Sequence, residues 1–232
     1  LADDLGYGDL GCFGQKMLKT PRLDAMAKEG MRFTQFYAGC TVCAPSRSVL
    51  LTGRHMGRTV VRGNSTQPII IKPGQATLAS VLKGAGYKTY MTGKWHVRAS
   101  AEKCFDVARN VRPGMPNQTP AGYNRPLPGK PDPWSPYDPK FEGFWKGGKH
   151  WSEIVADDAI DYLAQAKKHA KENPFFAYVA FNAPHDPRQA PKEFIDMYPL
   201  SRIKIPANFL PMYPYKDKIR CPHKLRDEKL GP

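Results

Sequence analysis

The run Phe175-Phe176-Ala177-Tyr178-Val179-Ala180-Phe181 constrains the fold more than any other stretch of this chain. A near-continuous apolar run of that length suits a strand covered on both faces, since a half-exposed strand alternates apolar with polar. It follows Ser152 to Lys171, where Ile154, Val155, Ala159, Ile160, Leu163 and Ala166 recur at the spacing of an amphipathic helix. Earlier segments repeat the theme. Thr20 to Gly30 reads as a helix with Thr20 as N-cap, Pro21 at its first position and Gly30 ending it. Met31 to Tyr37 has strand character, residues 45–52 read as a helix, Gln75 to Gly84 as another, and Tyr87 to Thr92 as a short strand. Leu1-Ala2 reads as the last step of a buried strand. Helices alternating with buried strands predict an α/β fold with a mainly parallel sheet flanked by helices. In such folds ligands sit beyond the carboxyl ends of the strands.

Residues 105–151 interrupt this pattern. They are rich in Pro, Gly, Asn and aromatics, including Trp134, Tyr137, Trp145 and Trp151, and are too long for a simple connection. They read either as an insertion shaping a pocket, whose aromatic faces would pack on sugar rings, or as a loop pinned by its own aromatics. At 232 residues the chain is one large domain or part of one. No run approaches the ~20 apolar residues of a membrane span. The formal charge of +14 suggests an anionic partner or simple solubility. The basic residues are scattered without a recognisable nucleic-acid motif, so nucleic acid is not expected, and a sulfated glycan would be an equally polyanionic partner. Five cysteines at irregular spacing make no disulfide framework, and Cys40-Thr41-Val42-Cys43 lacks the second pair a zinc site would need. The abrupt ends, Leu1-Ala2-Asp3-Asp4 and Lys229-Leu230-Gly231-Pro232, read as those of a fragment incomplete at both ends.

The chemistry gathers in four places. Cys43-Ala44-Pro45-Ser46-Arg47 continues as Ser48-Val49-Leu50-Leu51-Thr52-Gly53. Pro45 suits a first helical turn, Val49-Leu50-Leu51 would anchor that helix in the core, and Arg47 shares a face with Cys43. Position 43 would then lie at a helix N-terminus, which favours an anion. Asp3-Asp4 precedes a Gly6-Tyr7-Gly8-Asp9 turn and offers two hard oxygen ligands; Asp9 reads as structural. Gly86-Tyr87-Lys88-Thr89-Tyr90-Met91-Thr92-Gly93-Lys94-Trp95-His96 places Lys94 and His96 on one face of an extended chain. Asn182-Ala183-Pro184-His185 follows the apolar strand. Taken singly, each has a bland reading: a buried thiol, a solvated turn, a surface lysine, a packed histidine. His55, His150, His169 and His223 lack comparable context.

Together the four strings resemble the type I sulfatases. Residues 43–53 match the C-x-P-S-R-x-x-x-L-T-G pattern, and residues 86–96 match G-Y-x-T-x-x-x-G-K-W-H. The resemblance implies the alkaline phosphatase-like fold. It also implies that a formylglycine-generating maturation enzyme oxidises Cys43 to formylglycine. One hydroxyl of the aldehyde hydrate would attack sulfur, and the other would lose its proton to expel sulfate. Asp3, Asp4 and residue 43 would bind calcium. Arg47 would reach the nucleophile and the metal's ligands, and Lys94 the sulfate. His96 would serve as base to the nucleophile. His185 would contact sulfate and protonate the departing alcohol. Periplasmic or secreted localisation is a further implication.

The resemblance also implies a further lysine on the sulfate and a later Asp-Asn or Asp-His element; after residue 187 Asp196 precedes Met197, Asp217 precedes Lys218 and Asp227 precedes Glu228, so that element is missing. The 232-residue chain is therefore expected to be a partial catalytic domain, inactive alone. The reading is a sulfuric ester hydrolase acting on an organic sulfate, carbohydrate or small molecule. Two alternatives stay open: a phosphodiesterase or phosphonate hydrolase of the same superfamily, and a non-catalytic binder of sulfated glycans.

Overall fold

A computed structural model describes residues 1–59, 61–64, 74–97, 99–114, 131, 149–169, 173–185, 190–205, 207–208, 215 and 218. The chain divides into two units, residues 1–115 with 151–185, and residues 116–150 with 186–232. The described part of the second unit holds a short helix, Lys192–Asp196, and a 3-10 turn, Leu200–Arg202.

The first unit is built on three parallel strands, β1 (Lys88–Lys94), β2 (Val107–Arg112) and β3 (Phe175–Ala180), in the order β2-β1-β3. Among the described residues five helices accompany them: α1 (Pro21–Glu29), α2 (Cys43–Thr52), α3 (Leu78–Gly84), α4 (Ala101–Cys104) and α5 (Trp151–His169). The two faces of the sheet separate by residue parity, as strand geometry requires. Tyr90, with Val107 and Ala177 beside it, packs on Tyr162 and Ala166 of α5. Met91 and Tyr178 face the other way, into a cluster with Leu51 of α2, Ala79 of α3, Ala101 of α4, Trp95 and Phe105. This is the helix–sheet–helix layering of an α/β domain.

The strand covered on both faces is β1, buried from Thr89 to Lys94, whereas burial in β3 is uneven and Phe175 is exposed. Position explains the difference, because β1 lies between β2 and β3. Its buried polar residues each find a partner. Thr89 donates to Asp106 through its N–H and its hydroxyl, both at 2.9 Å, and the Thr92 hydroxyl donates to Asp158 at 2.6 Å. Leu1–Asp3 runs beside β3 and the segment after it. The Leu1 amine donates to the Val179 carbonyl at 2.8 Å, and Asp3 pairs in parallel with Pro184. Leu1 itself is exposed rather than buried.

Four further expectations change. The stretch read as an interruption begins later than 105, since residues 107–112 form β2 within the sheet; most of the remainder lies outside the described residues. Met31 to Tyr37 forms no strand, and Phe33, Phe36 and Tyr37 stand exposed. In α2 only Leu51 of the Val49-Leu50-Leu51 run is fully buried, and Leu50 faces out. The face that α5 buries is Trp151, Val155, Asp158, Tyr162 and Ala166, leaving Ile160 66% and Leu163 53% exposed. The buried set includes an acid and a phenol because the strands offer them partners. Asp158 also accepts from Asn110 Nδ2 at 2.8 Å, and the Tyr162 hydroxyl donates to the Met91 carbonyl at 2.8 Å. Counting apolar residues alone misplaces the face.

Candidate active site

The carboxyl ends of β1 and β3, the chain start and the N-terminal half of α2 meet in one buried cluster. β1 ends on Lys94, whose fully buried ammonium contacts Asp3 Oδ2. Gly93 makes this approach possible. Its φ is +94°, and a Cβ there would lie 2.0 Å from the Ala180 carbonyl oxygen. Only glycine fits such a conformation and so close a backbone. The pairing with β2 shifts register between Thr92 and Gly93, so the bulge re-aims the end of the strand.

Arg47 enters from α2. Its NH2 lies 3.3 Å from Asp3 Oδ1, and its NH1 donates to the Lys94 carbonyl at 2.6 Å. Asp3, Arg47 and Lys94 are all at least nine-tenths buried, so the carboxylate and two cations exchange hydration for each other. Removing one partner of such a group typically costs several kcal/mol. Cys43 lies one helical turn before Arg47, at the first residue of α2. The Val42 N-cap gives α2 no side-chain cap, but Asn64 reaches in, accepting from the Ala44 N–H at 3.1 Å and donating to Cys43 Sγ at 3.2 Å.

Beyond β3, the His185 N–H donates to the Asp3 carbonyl at 3.0 Å, and its Nε2 lies 3.5 Å from Asp4 Oδ2. His96 is not on an extended chain with Lys94, since its φ is +58°. Asp4 shares that left-handed conformation at φ +61°. Both are strained for side-chain-bearing residues, as functional sites often are. Burial, together with nearby Lys94 and Arg47, lowers the His96 pKa to about 4, against the smaller opposing pull of Asp3. The imidazole is therefore neutral at ordinary pH, and its buried Nδ1 meets no partner among the described residues. Such a ring can accept a proton. Burial likewise raises the pKa of the Tyr178 hydroxyl, which Arg47 opposes.

The structure thus links Asp3 to Arg47 and Lys94, Asp4 to His185, and His96 electrostatically to that group, with Cys43 one turn from Arg47. Asn64 and Tyr178 were not singled out from sequence. An asparagine in a polar loop carries no chemical pattern, and Tyr178 is hidden in the apolar strand. Asp9 is structural: Oδ2 accepts the Gly6 N–H at 2.8 Å. His55 Nδ1 accepts the Gly57 N–H at 3.2 Å, a local turn contact.

The donor chemistry of Asp3 and Asp4 suits a hard cation, but calcium takes roughly 6–8 oxygens. Among the described residues no group of three or more His, Cys, Asp or Glu side chains could hold a metal. Both oxygens of Asp3 are engaged by Arg47 and Lys94, so the pair alone does not make a metal site. No helix among the described residues is long and apolar enough to cross a membrane.

The profile of the family described as Sulfatase matches residues 1–213. N-acetylgalactosamine-6-sulfatase of Sus scrofa is 35% identical over 215 residues, covering 84% of this chain and 40% of that protein. Steryl-sulfatase of Mus musculus is 41% identical over 118 residues, covering 47% of this chain and 19% of that protein. The crystal structure of Ps i-CgsB in complex with k-i-k-neocarrahexaose superposes with a TM-score of 0.67 at 26% identity, over 86% of this chain and 47% of that one. The chain spans less than half the length of each of these relatives. The fold is that of the alkaline phosphatase-like sulfatases. Matched over residues 1–213, with its motif residues drawn together at the carboxyl ends of a parallel sheet, the chain belongs to the sulfatase family.

Proposed function

We propose that the protein carrying this chain hydrolyses a sulfate ester of a carbohydrate, with residue 43 as nucleophile. The observation that carries the reading is the convergence of Arg47 and Lys94 on Asp3, one helical turn from Cys43. A sulfate monoester is a compact anion. Two buried cations and the N-terminal dipole of α2 form a setting suited to it.

Oxidised to formylglycine, residue 43 would supply a hydrated aldehyde able to attack sulfur and later release sulfate. The chain's other residues divide the remaining work. Neutral His96 accepts a proton from the nucleophile's side. Lys94, its ammonium shared with Asp3, would direct positive charge to the sulfate, and Arg47 would reach the nucleophile's oxygens. His185, steadied by Asp4, donates a proton to the departing alcohol. A bound calcium ion would add charge neutralisation, with Asp3 and Asp4 giving two of its ligands. The names of the pig relative and of the neocarrahexaose-bound neighbour support a carbohydrate ester. The charge of +14 also suits a polyanionic glycan.

The test is a parallel assay of an aryl sulfate and an aryl phosphodiester, using full-length protein produced with a formylglycine-generating system. Sulfate release that Cys43→Ala abolishes is expected. Turnover of the phosphodiester with the sulfate ester untouched would overturn the assignment.

A further inference from the structure

We infer that Asn64 is a positioning residue for the nucleophile at position 43, an inference that rests on the sulfatase reading above. Its side-chain amide is used at both ends on two consecutive residues. Oδ1 accepts the Ala44 N–H at 3.1 Å, and Nδ2 donates to Cys43 Sγ at 3.2 Å. The first N–H groups of a helix have no partner within it, and a local N-cap side chain normally serves them. Here Val42 occupies the N-cap and gives no side-chain bond. Asn64, twenty residues along the chain, supplies the cap and in doing so fixes the side chain beside it.

The placement is built rather than incidental. After α2 the chain turns back and runs along the helix from its middle to its start. The Thr59 and Ser48 hydroxyls are hydrogen-bonded at 2.6 Å, and buried Val61 packs on buried Ala44. Asn64 then reaches residues 43 and 44. Thr59 also accepts from the Val61 N–H at 3.4 Å and, through its carbonyl, from Arg62 Nε at 3.3 Å, which stiffens the strap. A primary amide suits this task chemically. It is neutral, does not titrate, and can donate to sulfur, a weak acceptor, or more strongly to an oxygen borne by the same Cβ. It can therefore hold the rotamer of residue 43 before and after oxidation. Orientation of this kind raises the rate of the chemical step rather than substrate affinity.

The discriminating variant is Asn64→Asp. It keeps an oxygen to accept the Ala44 N–H, and a carboxylate suits a helix N-terminus, so its Tm should match the parent. It loses the donor to residue 43 and places a negative charge there. Two readouts follow. In protein made without the maturation system, iodoacetamide alkylation of Cys43 at fixed neutral pH is followed by peptide mass. It should slow about tenfold, as like charges at contact distance in a partly solvated site predict. In converted protein, normalised to formylglycine content, kcat should fall at least about tenfold with KM little changed. Asn64→Ala, which loses cap and donor together, should lower both Tm and kcat. Unchanged alkylation in Asn64→Asp would show that the contact does not exist, and slowed alkylation with full kcat would overturn the positioning role. Slowed alkylation in a protein whose parent releases no sulfate would defeat the sulfatase reading and, with it, the catalytic role of Asn64, while leaving the contact itself established.

Discussion

At the scale of single residues, Asp3 is the hinge of the site. Its buried carboxylate is shared by Arg47 and Lys94, and its backbone pairs with the segment after β3. Asp3→Ala would leave two buried cations without it, so unfolding in urea should show a loss of about 3–5 kcal/mol. A loss below about 1 kcal/mol would mean that the cluster adds little to folding. His96 makes a second prediction. Its pKa is lowered to about 4, chiefly by burial and then by Lys94 and Arg47. Ring resonances assigned through a His96→Gln variant should show no titration between about pH 5.5 and 8, where an unperturbed histidine changes charge. A midpoint near 6.5 would contradict the buried, cation-flanked ring. The motif residues were legible because their types and spacing are tied to chemistry. Asn64 was not, because its role depends on a strap folding back along α2, which no local pattern encodes.

At the scale of elements, α5 shows most clearly where periodicity reading stops. Its existence and extent were legible, Ser152 to Lys171 expected against Trp151–His169 among the described residues, but its buried face was not. Asp158 and Tyr162 turn inward because Thr92, Asn110 and the Met91 carbonyl receive them. Ile160→Ser should therefore change stability by less than about 0.5 kcal/mol, whereas Tyr162→Ala should cost about 3–5 kcal/mol. The reverse order in urea melts would restore the face counted from apolar residues. The start of β2 supplies a pH test. Asp106 accepts from Thr89 and pairs with Lys83 at 2.9 Å. Burial pushes its carboxyl up, but the bonds from Lys83 and Thr89 outweigh it and lower the pKa to about 2. The folded value lies below the unfolded ~3.9, so the stabilisation is complete above that pH and is lost as pH falls toward 2. The stability gap between parent and Asp106→Asn should close over that window; a gap independent of pH would remove Asp106 from the account.

At the scale of the whole molecule, the fold class and the gathering of motifs at strand ends were legible from alternating helices and strands. The position of β2 was not, because Val107–Arg112 mixes charged and apolar residues and looks like loop. Among the described residues no group of three or more His, Cys, Asp or Glu side chains could hold a metal. Calcium should therefore leave the Tm of the 232-residue chain essentially unchanged, and a saturable rise would show that a complete site exists within it. The central claim is that residue 43 is the converted nucleophile. Its most direct test is the mass of the tryptic peptide carrying residue 43, taken from full-length protein that releases sulfate. The account predicts the aldehyde form at that position, in an amount that tracks specific activity across preparations. Full activity in protein whose peptide carries only the unmodified thiol would contradict it.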